Sequence, residues 1–196
     1  MIDDINSQNE FRSIKSNFPI GYSDRYSTIT DIKSIDFNDT KAITELIDKF
    51  SNKYANVDVE YALEISPTGI AYTLKGIDGF VSPEMLGRDI LKGSISVHNH
   101  PLGFGEKTGD SFSKLDVAFA AEYQMGKQYL VSGERRNACE YIGNLTREEV
   151  EDKYDEAFTI VRSISFETGI NIYAEQEQIM EKLSEILEGF VFYGRF

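Results

Sequence analysis

Apolar and polar positions follow different periods in different stretches of the chain. Residues 1–38 show no period: they are polar and mixed, with isolated aromatics at Phe11, Phe18, Tyr22 and Tyr26, and read as an irregular arm lying on the domain. From Asn38 the pattern changes. Ala42, Ile43, Leu46, Ile47 and Phe50 recur at three- and four-residue spacing, the stripe of an amphipathic helix packed on a core. Residues 57–65 then alternate. Val57, Val59, Tyr61, Leu63 and Ile65 fall on one face and Asp58, Glu60, Ala62 and Glu64 on the other, which predicts a strand with one buried side. Ser66-Pro67-Thr68-Gly69 turns this strand into a second one near 70–75.

Ser82-Pro83 predicts a helix running to about Leu91, with serine as N-cap and proline at the first helical position. The stretch 94–100 reads as a short strand ending in polar residues, followed by a glycine-rich loop. Ser113-Lys114-Leu115-Asp116 opens a helix that ends near Gly126, and 128–133 and 137–143 read as a hairpin around Glu134-Arg135-Arg136. Thr146-Arg147-Glu148-Glu149 is a capping box, with Tyr154, Phe158 and Val161 continuing the apolar face towards Gly169. A last helix carries Ile179, Leu183, Ile186 and Leu187 before Gly189 and an aromatic tail. Strands mixed with helices in this order predict an α/β (α+β) sandwich, a mixed sheet flanked by helices, and not a barrel. The chain divides into an irregular N-terminal arm (1–38), a core (39–145) and a C-terminal helical extension (146–196).

Composition narrows the function. The chain has 196 residues with 20 Lys and Arg against 33 Asp and Glu, a net charge of −13. That balance disfavours nucleic acid as a partner, because such affinity comes mostly from cations neutralising phosphates. It equally disfavours docking on anionic membranes. No apolar run approaches the ~20 residues needed to span a bilayer, and the N-terminus carries no secretion signal. A reducing cytoplasm is therefore expected. The Ile, Lys, Asn and Asp usage fits an AT-rich bacterium or a phage-infected host. The single cysteine, Cys139, reads as a small strand residue, since neither histidine is placed near it to activate it.

The chemistry is concentrated at His98-Asn99-His100-Pro101. Two imidazoles at i and i+2 on a strand point to the same side, a spacing that suits two ligands on one zinc ion. They are the chain's only two histidines. A catalytic zinc normally takes a third protein ligand, and Asp116 is the candidate, on the first turn of the helix opened by Ser113. Ser-x-x-Asp has a second reading as a capping pair. The adjacent histidine pair tips the reading towards a ligand.

The stretch 97–116, with an acidic strand upstream, resembles the metal motif of the JAB/MPN (JAMM) metalloprotease superfamily: a glutamate, then His-x-His-Pro, a loop, and Ser-x-x-Asp. The asparagine between the histidines is closest to the prokaryotic and phage-associated branch, including RadC-like proteins. The resemblance covers residues 57–142 and implies a deaminase-like fold, zinc as cofactor, and His98, His100 and Asp116 as its ligands. It also implies Ser113 as support for the reacting oxygen and an upstream glutamate as general acid and base. The implied activity is hydrolysis of an amide, often an isopeptide, in a protein or peptide substrate such as a ubiquitin-like conjugate. A RadC-like role in DNA metabolism and a catalytically silent MPN-type scaffold are the alternatives. Two features depart from the family pattern: a long loop carrying Gly103, Gly105 and Gly109, and a second serine, Ser111.

Two glutamates compete for the proton-transfer role. Glu60 and Glu64 lie on the same face of the 57–65 strand, about 13 Å apart, and alternation does not choose between them. Glu64 adjoins a turn, where a solvated carboxylate is expected. Glu60 is placed mid-strand, where an inward-facing charge calls for a use or a partner. The family spacing from glutamate to glycine turn also fits Glu60, with Gly69 as the turn. Glu60 is the expected base.

Overall fold

A computed structural model describes residues 18–77, 79–101, 111–133, 135–168 and 172–195. One mixed sheet of seven strands organises the chain, in the order β1-β3-β2-β4-β5-β6-β7. The strands are β1 (Thr28–Ser34), β2 (Tyr61–Ser66), β3 (Ile70–Lys75), β4 (Ile95–Asn99), β5 (Lys127–Ser132), β6 (Arg135–Tyr141) and β7 (Phe190–Arg195). Every neighbouring pair is antiparallel except β4 with β5, which run parallel. The helices are α1 (Thr40–Tyr54), α2 (Arg88–Leu91), α3 (Lys114–Tyr123), α4 (Arg147–Thr168) and α5 (Ile172–Ile186), with a 3-10 turn at Pro83–Leu86. Among the described residues no helix is long and apolar enough to cross a membrane.

The sheet is buried on both faces. Ile43, Ile47 and Phe50 of α1 pack with Leu63, Ile65, Val97 and Val131, one set of alternating strand residues. Helices α3, α4 and α5 pack with the other set, among them Ala62, Tyr72, Leu74, Leu130 and Cys139. The expectation of a single buried side for the strand at 57–65 is therefore corrected. Its second face carries Glu60, Ala62 and Glu64, of which Glu64 is fully buried and Glu60 nearly so. The strand also starts later than alternation suggests, so Glu60 precedes β2 and is not mid-strand.

The flanking regions join the same sheet. Residues 28–34, read from sequence as part of an irregular arm, form β1 and pair along β3. Residues 1–17 lie outside the described residues, and with them Phe11. The aromatic tail forms β7, paired with β6, and Val150, Met180 and Leu183 of the C-terminal helices are fully buried in the main core. An amphipathic edge strand only six or seven residues long leaves a weak periodic signal, and both were overlooked for that reason. The helix expected over 82–91 is instead a 3-10 turn and a four-residue helix, broken at Gly87, whose φ of 81° a side chain rarely adopts. Ser82 does not cap it. Its hydroxyl donates to Asp24 Oδ2 at 3.2 Å instead.

Leu183→Ala should lower the unfolding free energy by about 2–5 kcal/mol, the range for a buried leucine. Leu115→Ala, on a side chain 67% exposed, should change it by no more than about 0.5 kcal/mol. Urea denaturation of both variants checks the contrast. Equal losses would contradict the packing described.

Candidate metal centre

Strand β4 ends in the two histidines' segment. His98 sits opposite Ala62 of β2 and Leu130 of β5, and the His100 amide donates to the Val131 carbonyl at 3.2 Å, so the extended path continues past the strand's end. Alternation places both imidazoles on one side, with ring centroids 5.2 Å apart. His98 is buried, with Phe112 edge-on to its ring at 5.9 Å.

Helix α3 brings Asp116 to them. Ser113 is its N-cap: the Ser113 amide donates to Asp116 Oδ2 at 2.7 Å, and the Asp116 amide donates to Ser113 Oγ at 3.3 Å. The same carboxylate faces the histidines, with Oδ1 3.6 Å from His98 Nε2 and Oδ2 3.6 Å from His100 Nε2. Capping and cluster membership are therefore not alternatives: one aspartate does both. Both 3.6 Å separations are too long for good hydrogen bonds. His98 Nε2 is accordingly a buried atom without a hydrogen-bond partner among the described residues. One ligand-type atom from each of His98, His100 and Asp116 lies within 4.8 Å of the others. Ligands at ~2.0–2.1 Å from a tetrahedral zinc stand about 3.4 Å apart, so this donor set and spacing fit such an ion with small side-chain movements.

Asn99 points the other way. Fully buried, it accepts from the Tyr61 amide at 2.7 Å and donates to the Val59 carbonyl at 3.1 Å. These are the peptide groups on either side of Glu60, whose own carbonyl accepts from the Gly76 amide at 2.8 Å. The residue between the histidines thus clamps the backbone that carries the glutamate. Glu60 lines the same cavity as His98, His100 and Asp116. Burial pushes its carboxyl above the usual range, with His98 and His100 opposing.

Glu64 behaves unlike the solvated carboxylate expected from the turn beside it. It lies opposite Ser96 in the β2–β4 ladder, because the strand enters the turn only after Ser66. The Ser96 hydroxyl donates to its Oε1 at 2.7 Å, while Oε2 has no partner among the described residues. Burial pushes its carboxyl up to about 8, against the Ser96 hydrogen bond and His98. Burial also opposes the ionisation of Asp116, but His98 and His100 outweigh it and hold that carboxyl well below its ordinary range. For His98, burial favours the neutral ring, yet Asp116, Glu60 and Glu64 outweigh it and raise its pKa.

The remaining candidates sort by geometry. Ser113 lines the cavity beside the cluster, whereas Ser111 is buried, its hydroxyl has no partner among the described residues, and it does not cap the helix. Gly103, Gly105 and Gly109 lie outside the described residues. Cys139 is fully buried in β6 and burial pushes its thiol up, which keeps it un-ionised. Asn99 and Gln128 are positioning residues that sequence reasoning missed. Gln128 donates to the Asp116 carbonyl at 3.2 Å and accepts from the Tyr141 hydroxyl at 2.7 Å, tying the start of α3 to β5 and β6. Gln128 left no sequence signal, because β5 also carries Lys127 and Ser132 and its burial is visible only in the fold. Comparison of the chain with protein-family models, curated proteins and solved structures found no match.

In the metal-free protein, Glu64 holds its proton up to about pH 8 when folded, against 4.5 when unfolded. Unfolding between these values releases a proton, so stability should fall as pH rises, towards a limit of ~1.4 kcal/mol per unit. The raised Glu60 and His98 act in the same direction, while Asp116 adds stability that is lost only in acid. Glu64→Gln should flatten the slope in urea denaturation from pH 5 to 8. A slope left undiminished by the change would show that Glu64 ionises freely, since Glu60 and His98 account only for what remains. Asn99→Ala should cost about 1–3 kcal/mol, since it strips partners from the Tyr61 amide and the Val59 carbonyl.

Proposed function

We propose that this protein is a zinc-dependent peptidase or isopeptidase that hydrolyses an amide bond in a protein or peptide. One observation carries the reading: ligand-type atoms of His98, His100 and Asp116, from a strand end and a helix start, lie within 4.8 Å in a cavity that Glu60 also lines. Two imidazoles and a carboxylate are a donor set that catalytic zinc uses. The ion, when bound, supplies Lewis acidity that polarises a carbonyl and acidifies water.

The chain's own groups do the rest. Glu60, its carboxyl raised by burial above the ordinary range, takes the proton of the attacking water and delivers it to the leaving amine, a transfer typically worth 10²–10⁴-fold. Ser113 Oγ accepts the Asp116 amide, which leaves its hydroxyl proton available to the developing oxyanion. Asn99 keeps Glu60 from swinging away by fixing both flanking peptides.

The purified protein should carry about one zinc per chain by elemental analysis, and His98→Ala or Asp116→Ala should each remove most of it. Full occupancy in both variants would refute the ligand assignment. Glu60→Gln should retain zinc while lowering peptide hydrolysis at least ~100-fold, the low end of a lost proton transfer. Loss of hydrolysis in Glu64→Gln but not in Glu60→Gln would move the base to Glu64.

A further inference from the structure

The cavity around the cluster has a volume of about 450 Å³, more than the reacting groups need. Its other lining is largely apolar: Phe80, Val81 and Pro83 from the segment after β3, and Leu115 and Phe119 from α3. Phe80 is 42% and Leu115 67% exposed. Isolated exposed apolar side chains are ordinary on a protein surface, but these two share one cavity with the metal-ligand cluster. Leu115 stands between Ser113 and Asp116 on the first turn of α3, so anything bound at Asp116 passes within its reach.

Phe80 is held in place. Its backbone closes a tight turn with Ile77, the Ile77 amide donating to the Phe80 carbonyl at 2.9 Å, and its ring meets Tyr26 edge-on at 5.4 Å. Gly76 makes this possible, because a Cβ there would collide with the Phe80 carbonyl. The charges in the cavity add selectivity. Arg147 lines it, but its guanidinium is engaged by Glu122 at 2.7 Å and Glu151 at 2.6 Å. Glu60, Glu84 and Asp116 are carboxylates in the same lining. An acidic substrate side chain meets repulsion there, whereas a bulky apolar one meets matching walls.

We infer that these walls form a specificity pocket, selecting amide bonds whose carbonyl comes from a bulky apolar residue of leucine or phenylalanine size, over glycine or an acidic residue. The inference rests on the hydrolase reading above, and its test separates the two. Three probes share one metal-binding head and differ only in side chain: N-acetyl-glycine hydroxamate, N-acetyl-leucine hydroxamate and N-acetyl-aspartate hydroxamate. Their affinities for the zinc-loaded protein are measured by calorimetry. The leucine probe should bind at least about tenfold tighter than the glycine probe, the gain expected from burying its side chain. The aspartate probe should bind no tighter than the glycine probe. Leu115→Ser should remove most of the leucine advantage while zinc content and melting temperature stay unchanged, since this side chain is not part of the core. Equal binding of all three probes overturns the pocket and leaves the metal centre standing. Binding by none overturns the metal-centre reading and the pocket with it. A leucine advantage that survives both Leu115→Ser and Phe80→Ser places the side chain elsewhere and overturns the assignment.

Discussion

The parallel pairing of β4 with β5 is the constraint on which the site depends. Parallel neighbours cannot be joined by a tight turn, so the chain leaving β4 must return along the sheet before β5 begins. Here α3 makes the return, and its far end is tied to the start of β4: the Gly93 amide donates to the Gln124 carbonyl at 2.8 Å and the Gly126 amide to the Ser94 carbonyl at 2.9 Å. The ten residues of α3 span about 15 Å and the five of β4 about 16 Å. A helix pinned at one end and matched in length to the strand beneath it must begin where that strand finishes. The Ser113–Asp116 turn is thereby delivered to His98 and His100. Strand ends facing such crossovers are where α/β sheets gather their chemistry.

That position is electrostatically demanding. Asp116 and Glu60 place carboxylates beside two imidazoles in a largely buried setting, and His98 Nε2 has no hydrogen-bond partner among the described residues. Without a bound cation the groups compensate one another only in part: Asp116 stays ionised because the histidines favour it, and Glu60 is pushed towards its neutral form. Such local conflict with stability is what functional sites show, and the surrounding core offsets it. Here the offset comes from fully buried residues on both sides of the sheet, among them Val97 and Leu130 on the very strands that carry or flank the histidines.

Much of this was legible before any coordinates. The helix at 40–54, the strand pair on either side of the Ser66–Gly69 turn, and the serine cap of α3 follow from side-chain period and capping chemistry, both local in sequence, although alternation starts the first strand at 57 and not at 61. The His98, His100 and Asp116 grouping was legible from two histidines at strand spacing followed by a Ser-x-x-Asp helix start, although that aspartate reads equally as a cap. What stayed hidden depends on pairing across long separations. Strand β1 is recognisable only through β3, some 40 residues on, and β7 only through β6. Glu64 was misjudged for the same reason. Local turn chemistry suggests solvent, but burial on that face is imposed by Ser96 across the β2–β4 ladder. Asn99 likewise has no periodic signature, since its role exists only where β4 meets the residues before β2.

The two glutamates show how one strand face assigns different parts to identical side chains. Glu60 lies just before β2, where Asn99 and Gly76 hold its backbone and it lines the cavity of the histidine–aspartate cluster. Glu64, four residues on, is opposite Ser96 and has a serine hydroxyl as its hydrogen-bond partner. A carboxyl raised to about 8 is mostly neutral at pH 7. Its neutrality matters to the cluster: an ionised Glu64 would add to the carboxylate charge that favours protonation of His98, and an imidazole binds a metal ion only when neutral. Burial of Glu64 therefore does more than fill the core. By keeping that carboxyl mostly uncharged at pH 7, it limits what Glu64 adds to Asp116 and Glu60 in raising the pKa of His98.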